Sequence, residues 1–407
     1  MKKISALLLV LVMAFVFVAC SGTTAPSSST ATSAGSVAST VPSNFKLGVI
    51  LVHDENSGYD MAHIEGIWAA RDALGLTDDQ IVFRYNIPED ETCYDTAMDL
   101  VDAGCTIIIS DSYGHQGFMQ QAAAEVPEVT FVAATGDTAG PSGLPNLKNT
   151  FTYVYESRYV SGLVAGLKLK ELMDAGTVTD PHIGYVGAYP YAEVVSGYTA
   201  FFLGIRSIVP DAYMDVQYTN SWYDPVAEGE AANALIAAGC VIIGQHADST
   251  GAPSAVQAAL DSGRVAYSVG YNIDMLSVAP TAALTSAQNN WGALYTKILG
   301  QAVNGEEIPT DTALGYADDA VMISALGESC AEGTQASVDA AWASIKDGSL
   351  KVFDCSTFTV AGETVTTYDQ VYGFEGNEMI VDGYFQESVL RSAPCFDLRI
   401  DGITELS

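Results

Sequence analysis

Five short segments of the chain combine aromatic and polar residues, and each directly follows an apolar run. Aromatic faces can sandwich a flat heterocycle at about 1–3 kcal/mol per stack, and carboxylates, amides and hydroxyls can hydrogen-bond ring edges or sugar hydroxyls. None of the segments contains Lys or Arg, whereas a phosphate group requires cations or a glycine-rich helix start. The pattern predicts a site for a flat, mostly uncharged ligand. The segments are residues 54–59, 110–114, 219–225, 244–249 and 270–275.

The sequence shows no motif for catalysis or for a bound metal or cofactor. It contains no GxSxG or HExxH motif, no phosphate-binding P-loop and no GxGxxG after a strand. Ser249 lies near His246 and Asp248, but neighbours on one turn rarely form a working triad. No Cys-x-x-Cys pair or Cys/His spacing indicates a metal site. We therefore expect a protein that is not an enzyme, with no cofactor and no metal.

The elements that carry these segments alternate between strands and helices. Apolar runs at 45–52, 81–85, 105–110 and 129–134 are separated by helical patterns. Unbroken apolar strands that alternate with helices are typical of a parallel sheet covered on both faces. The fold class is therefore predicted to be α/β.

The same unit occurs twice along the chain. Residues 182–186 resemble 46–50 at an offset of 136, and residues 232–243 resemble 97–108 at an offset of 135. The nearly constant offset predicts two similar, doubly wound parallel-sheet lobes. In such sheets ligands bind beyond the carboxyl ends of the strands, so a cleft between the lobes is the expected binding site, and a hinge can close it.

The N-terminus has the features of an export signal. Lys2 and Lys3 precede an apolar run at 4–19, which is short for a membrane span. The run ends at Cys20 and resembles a bacterial lipoprotein signal, which implies a signal peptide at 1–19 and lipidation of Cys20; an ordinary cleaved signal with an incidental Cys is the alternative. Residues 20–44 are rich in Ser and Thr and predict a flexible linker. The protein is expected outside the cytoplasm, anchored to the cell membrane through Cys20.

The net charge excludes two classes of partner, and the positions of the cysteines indicate which of them are buried thiols. The 407 residues include 16 Lys plus Arg against 49 Asp plus Glu, a net charge of −33. Such a surface repels nucleic acid and anionic lipid headgroups, so neither is an expected partner. Cys105 and Cys240 are expected to be buried thiols, while Cys330, Cys355 and Cys395 leave one disulfide possible.

Several motifs in a fixed order resemble the basic membrane protein family, a group of ABC-transporter substrate-binding lipoproteins that includes purine nucleoside receptors. The resemblance extends from Lys46 to Phe353. It implies a periplasmic-binding-protein fold of type I, in which two lobes close on a small molecule and deliver it to an ABC permease. The motifs are residues 58–63, 155–162, 219–225, 246–249 and 270–275.

The resemblance also implies a division into lobes. The first lobe is expected to comprise residues 45–155 plus about 275–316, and the second 156–274 plus about 317–407. In the C-terminal part, the pattern predicts one helix at 336–347 and a strand pair at 351–360 and 364–368.

The resemblance implies the site residues as well. By position, the aromatic rings that hold the base are Tyr59 from the first lobe and Trp222 from the second. Asn56 and Asn272 stand where the family has Asp, so recognition of a ribose is open, and a free nucleobase is an alternative to a purine nucleoside. The full set of expected ligand-binding residues is Asn56, Tyr59, Ser112, Tyr113, Trp222, His246, Asp248, Asn272 and Asp274.

Other functions stay open on the sequence alone. One alternative is a different flat or sugar-like ligand, for example a riboflavin-like ring. Another is an extracellular sensor module that signals through a partner protein.

Overall fold

The computed structural model describes residues 41–406. The predicted signal peptide, Cys20 and most of the predicted linker lie outside the described residues. Residues 41–44 of the predicted linker are described. Val41 packs against the apolar core of the first lobe, and the backbone N–H of Phe45 donates to the carbonyl of Pro42 at 3.0 Å. The folded body therefore begins a few residues before the predicted boundary at 45.

The first sheet has six strands, all paired in parallel, in the order β11-β5-β4-β3-β1-β2. Its central strands are almost entirely buried, as a sheet with helices on both faces requires. They are β1 (Leu47–Ile50), β2 (Ile81–Arg84), β3 (Ile107–Ser110), β4 (Thr130–Ala134), β5 (Leu147–Thr152) and β11 (Asp311–Leu314).

The second sheet has seven strands in the order β12-β10-β9-β8-β6-β7-β15. The pairing is parallel except between β10 and β12. They are β6 (His182–Gly187), β7 (Tyr213–Tyr218), β8 (Ile242–His246), β9 (Tyr267–Tyr271), β10 (Ala283–Asn289), β12 (Val321–Ile323) and β15 (Ile403–Leu406). The order 7-6-8-9-10 repeats the order 2-1-3-4-5 of the first sheet, so both lobes have the doubly wound topology.

Helices cover both sheets, and three of those that the structure describes begin at a residue whose side chain caps the first turn. The Ser57 hydroxyl accepts the N–H of Asp60 at 3.3 Å and starts α1, and Asp224 accepts two backbone N–H groups at the start of α7. The helices are α1 (Gly58–Leu74), α2 (Glu91–Asp102), α3 (Gln116–Glu125), α4 (Ala139–Ser142), α5 (Val154–Asp174), α6 (Ala192–Arg206), α7 (Pro225–Ala238), α8 (Gly251–Asp261), α9 (Trp291–Asn304) and α10 (Thr334–Lys346). Among the residues that the structure describes, no helix is long and apolar enough to cross a bilayer.

The chain passes between the lobes three times: from β5 to α5, from β10 to α9, and from β11 to β12. Strand β10 belongs to the second sheet, whereas the sequence analysis assigned 275–316 to the first lobe. Only α9 and β11 of that range pack with the first lobe. The boundary differs because β10 continues the second sheet beside β9 before the chain returns.

The C-terminal part contains the predicted helix as α10, and residues 351–368 differ from the expected strand pair. Val360 and Glu363 form one isolated bridge there, and a short hairpin instead joins β13 (Ile380–Val381) to β14 (Tyr384–Phe385). The six cysteines of the described region are free, so no disulfide joins Cys330, Cys355 and Cys395. Cys105 and Cys240 are buried, as expected.

Candidate functional site

Strand ends from both sheets surround one cavity between the lobes, with an empty volume of about 340 Å³. Six of the nine sequence-predicted residues lie in its wall, together with four that the sequence analysis did not select. The wall consists of Val52, Tyr59, Ser112, Tyr113, Thr135, Glu193, Trp222, His246, Asp248 and Tyr271.

Tyr59 is held rigidly in the wall of the first lobe. It lies in the first turn of α1, and its hydroxyl donates to the backbone carbonyl of Asp111 at 2.5 Å. Its ring contacts His63 and Trp291 edge-on, with centroid distances of 4.4 and 6.3 Å. Burial lowers the pKa of His63 to about 3, so this neighbour is neutral. The ring of Tyr59 is therefore fixed before any ligand arrives.

Trp222 provides an aromatic wall from the second lobe. It lies in the loop between β7 and α7, and the rings of Tyr189 and Tyr191 pack against it at 5.2 and 6.2 Å. Its backbone carbonyl accepts the N–H of Asp248 at 2.8 Å, which ties the loop to the end of β8. Tyr59 and Trp222 thus border the same cavity from opposite lobes.

Asp248 is the acidic group at the end of β8. Its Oδ1 accepts a hydrogen bond from Nδ2 of Asn272 at 2.8 Å. Burial, with the nearby carboxylates of Glu228, Asp60 and Glu193, raises the pKa of Asp248 well above its usual range. Asn272 itself is outside the cavity wall and orients Asp248 from behind; its φ of 64° is a left-handed conformation that Asn tolerates.

A buried arginine lies behind the cavity. Arg158 is 1 % exposed, and its Nη1 donates to the carbonyl of Gln245 at 2.6 Å. Its guanidinium carbon lies 3.7 Å from the ring centroid of Tyr271, so one face of that ring is covered. Tyr271 lines the cavity, so this cation–π contact places the buried guanidinium against a ring that a ligand would meet.

Glu193 and His246 add polar groups that can change protonation state. Nε2 of His246 lies 3.4 Å from Oε1 of Glu193. Burial raises the pKa of Glu193 to about 7, against the opposing effect of Arg158. Burial, followed by Arg158, lowers the pKa of His246 well below its usual range. A neutral imidazole and a carboxyl that titrates near neutrality can each act as donor or acceptor toward a ligand.

Ser112 and Tyr113 are held in the cavity wall by carboxylates. The Ser112 hydroxyl donates to Oε1 of Glu89 at 2.5 Å, and the Tyr113 hydroxyl donates to Oδ2 of Asp137 at 3.2 Å. Both side chains are therefore oriented by neighbours on their own lobe.

Asn56 and Asp274 lie away from the cavity wall. Asn56 is exposed and donates from Nδ2 to Asp54 at 2.7 Å, and Asp274 accepts the N–H of Leu276 as a cap. Both follow strand ends, but each side chain serves its own turn.

The sequence analysis did not select Val52, Thr135, Glu193 and Tyr271. Tyr271 lies in the expected segment 270–275, where its aromatic type was a usable signal. Glu193 is the second residue of α6, as Tyr59 is of α1. Because β6 corresponds to β1 in the repeat, the repeat could have indicated Glu193. Val52 and Thr135 carried no distinguishing signal.

Within the described residues, one group of His, Cys and acidic side chains is close enough to share an ion. It comprises His182, Asp215 and Cys240, whose ligand atoms lie within 4.8 Å of one another. It lies at the opposite ends of the strands from the cavity. Nε2 of His182 and Oδ2 of Asp215 are 2.9 Å apart, and burial raises the pKa of the Cys240 thiol to about 12. A His–Asp hydrogen bond beside a protonated thiol accounts for this group.

The model of a protein family, described as ABC transporter substrate-binding protein PnrA-like, matches residues 50–353. The chain belongs to this family. The membership confirms the resemblance given by the sequence motifs. It also confirms the expectation of a binding protein in place of an enzyme, since the PnrA-like family consists of substrate-binding proteins of transporters.

Curated relatives of the chain include one bacterial and one archaeal binding protein. A purine-binding protein of Brucella abortus is 34 % identical over 58 % of this chain and 61 % of its own length. A putative ABC transporter glucose-binding protein of Haloferax volcanii is 36 % identical over 46 % of this chain and 44 % of its own length. The chain thus spans about three fifths of the first and less than half of the second.

Solved structures confirm the fold class. A solute-binding protein of an ABC transporter system from Aeropyrum pernix aligns with a TM-score of 0.65 at 15 % identity, covering 76 % of this chain and 93 % of that one. A second from Conexibacter woesei gives 0.58 at 19 % identity, covering 75 % and 98 %. These likenesses concern the architecture of two parallel-sheet lobes.

Proposed function

We propose that this chain captures a small molecule with a purine ring between its two lobes and delivers it to an ABC permease. The observation that carries the proposal is the cavity wall, in which Tyr59 and Trp222 from opposite lobes border the same space as Asp248 and His246. Aromatic walls suit a flat ring, and the carboxyl and imidazole groups suit the alternating donors and acceptors of a purine edge. The purine-binding relative from Brucella abortus supports the same ligand class.

The electrostatics of the wall favour an uncharged ligand. No Lys or Arg lines the cavity, and the guanidinium of Arg158 lies against the ring of Tyr271. Asp248 and Glu193 face the cavity instead. No cation in the wall would balance the charge of a phosphate group there, so the cavity disfavours nucleotides.

The same proposal includes the cellular setting. A signal peptide at 1–19 would direct export and be removed. The lipidated Cys20 would then hold the two-lobed body outside the cytoplasmic membrane, where a permease receives ligand. Labelling of the chain with a radioactive fatty acid in the native host tests the anchor. Cys20→Ser is expected to abolish the label, and a label that persists in that variant contradicts lipidation at Cys20.

A sugar is the second candidate ligand. The relative from Haloferax volcanii is described as a putative glucose-binding protein, and aromatic faces with carboxylates also bind sugars. Sugar binding would use the same wall.

A competitive thermal-shift panel separates these candidates, because a ligand that binds only the folded state stabilises it by mass action. The panel comprises adenine, guanine, adenosine, guanosine, riboflavin, ribose and glucose. We expect at least one purine compound to raise the unfolding temperature and to be displaced only by other purines. A shift with glucose or riboflavin and none with any purine contradicts the proposal.

A further inference from the structure

The C-terminal segment crosses from one lobe to the other beside the cavity. We name residues 387–396 the C-terminal strap. At one end, Glu387 accepts hydrogen bonds from Ser196 of the second lobe and from the N–H of Phe396, both at 2.7 Å. In its middle, Nη1 of Arg391 donates to Asp137 of the first lobe at 2.9 Å. The strap therefore contacts both lobes.

The backbone of the strap is also fixed to the first lobe. The N–H and the hydroxyl of Ser392 donate to Oδ1 of Asp311 at 2.8 and 3.1 Å. Nη2 of Arg391 donates to the carbonyl of Pro394 at 3.1 Å, which closes the turn of the strap on itself. The position of Arg391 is thus determined from both sides.

The strap borders a second compartment, with an empty volume of about 280 Å³, which we name the strap compartment. Arg391, Ala393 and Pro394 of the strap form one side of it. Tyr113, Thr135 and Glu193 line both this compartment and the main cavity. The two spaces are therefore neighbours that share three lining residues.

The strap compartment has buried polar atoms with no hydrogen-bond partner within the described protein. Nε of Arg391 and Oγ1 of Thr135 are two such atoms, in side chains that are 6 % and 3 % exposed. Thr135 also has a φ of 65°, a left-handed conformation unusual for a β-branched residue. Buried polar atoms in proteins usually pair with a protein group or an ordered water, and a polar group of a ligand would pair with these two.

The charges in the compartment favour an uncharged hydroxyl over an anion. The carboxylate of Asp137 already pairs with Arg391 at 2.9 Å, and Glu193 lies in the same wall. A phosphate or carboxylate would meet two acidic groups and one neutralised cation. A hydroxyl can both donate and accept, so it suits a wall that offers Arg391, Thr135 and Asp137.

We infer that the C-terminal strap determines specificity, by forming a subsite for a hydroxyl-bearing substituent of the ring that the main cavity holds. The inference rests on the proposed function. The strap lies beyond residue 353, where the family match ends, so this subsite is supplied by a part of the chain outside the matched region.

Calorimetric titration with adenine and with adenosine tests the subsite, because the two ligands share the ring and differ in the hydroxyl-bearing substituent. We expect the unmodified protein to bind adenosine more tightly than adenine. Ala393→Leu fills the strap compartment and should weaken adenosine at least ~10-fold while leaving adenine within ~2-fold. Val389→Leu, at an exposed strap position, is the matched control and should change neither affinity.

Arg391→Lys is the second variant and serves if Ala393→Leu does not fold. It keeps a cation for Asp137 but removes Nε, so adenosine should weaken at least ~3-fold while adenine does not. Equal binding of adenine and adenosine by the unmodified protein, or equal loss of both in the two variants, overturns the subsite and leaves the purine proposal standing. Failure of the unmodified protein to bind adenine, adenosine, guanine or guanosine overturns both.

Discussion

Replacement of Trp222 by Ala removes the aromatic wall that the second lobe contributes to the cavity. The side chain lies at the rim of the space shared with Tyr59. If a purine ring packs against this wall, the variant loses that contact but keeps the polar groups at the end of β8. We therefore expect weaker ligand binding with no change in which purine is preferred.

The size of the effect follows from the surroundings of the indole. Stacking of a base on an aromatic side chain contributes about 1–3 kcal/mol, which corresponds to roughly 5- to 150-fold in the dissociation constant. Tyr189 and Tyr191 pack against Trp222 at 5.2 and 6.2 Å and can move partly into the space left by the indole. The expected loss is therefore in the lower half of that range, about 5- to 30-fold.

Isothermal titration calorimetry measures the effect directly, with the purine that stabilises the protein most. Trp222→Phe keeps a ring in the wall and should lose about 3-fold or less. Trp68→Ala is a control, because Trp68 packs on Phe83 in the first lobe, away from the cavity. An unchanged dissociation constant in Trp222→Ala, with the fold intact by circular dichroism, would refute the role of this wall.

Three further predictions concern Tyr59, Glu228 and the cysteines. Tyr59→Phe loses the hydrogen bond to the Asp111 carbonyl and should lower the free energy of unfolding by about 1 kcal/mol while keeping purine affinity within ~3-fold; a large affinity loss by calorimetry contradicts this. Burial raises the pKa of Glu228 from 4.5 to about 7, so the folded state holds a proton that the unfolded state releases, and this group destabilises the fold as pH rises from 4.5 through 7. Urea unfolding should find Glu228→Gln on the order of 1–3 kcal/mol more stable at pH 8 and unchanged at pH 4.5, and equal stability at pH 8 contradicts the assignment. The described cysteines are free, so dithiothreitol should leave the unfolding temperature unchanged, and a drop indicates a disulfide.

The repeat in the sequence predicted the fold because it reflects a physical repeat of strands and helices. The constant offset between 97–108 and 232–243 corresponds to the shared strand order of the two sheets. The division between lobes was harder, because the strand order does not reveal where the chain crosses. The sequence alone is compatible with β10 in either sheet. Its parallel pairing with β9 places it in the second sheet.

The sequence predicted the site residues whose role follows from their side-chain type. It did not predict those whose position depends on local hydrogen bonds. Aromatic residues at strand ends, such as Trp222, lie in the cavity wall. Asn56 and Asp274 follow equivalent strand ends but bond within their own turns. Thr135 reaches the wall through a left-handed backbone conformation, which residue type does not disclose.

In the C-terminal part, the sequence did not predict which distant residues bond to one another. Residues 351–368 have a strand-like pattern, but their backbone groups bond elsewhere; the N–H of Cys355, for example, donates to Gly383. Likewise, the thiol of Cys395 lies beside Glu387, and that of Cys330 donates to Leu284. Spacing along the chain could not indicate these partners.

A crystal structure of the protein with the purine that stabilises it most tests the central claim directly. We expect the purine ring to lie in the cavity between the lobes, in van der Waals contact with Tyr59 and Trp222 and with a hydrogen bond to Asp248 or His246. A ring bound outside this cavity, or bound without contact to either aromatic wall, contradicts the account.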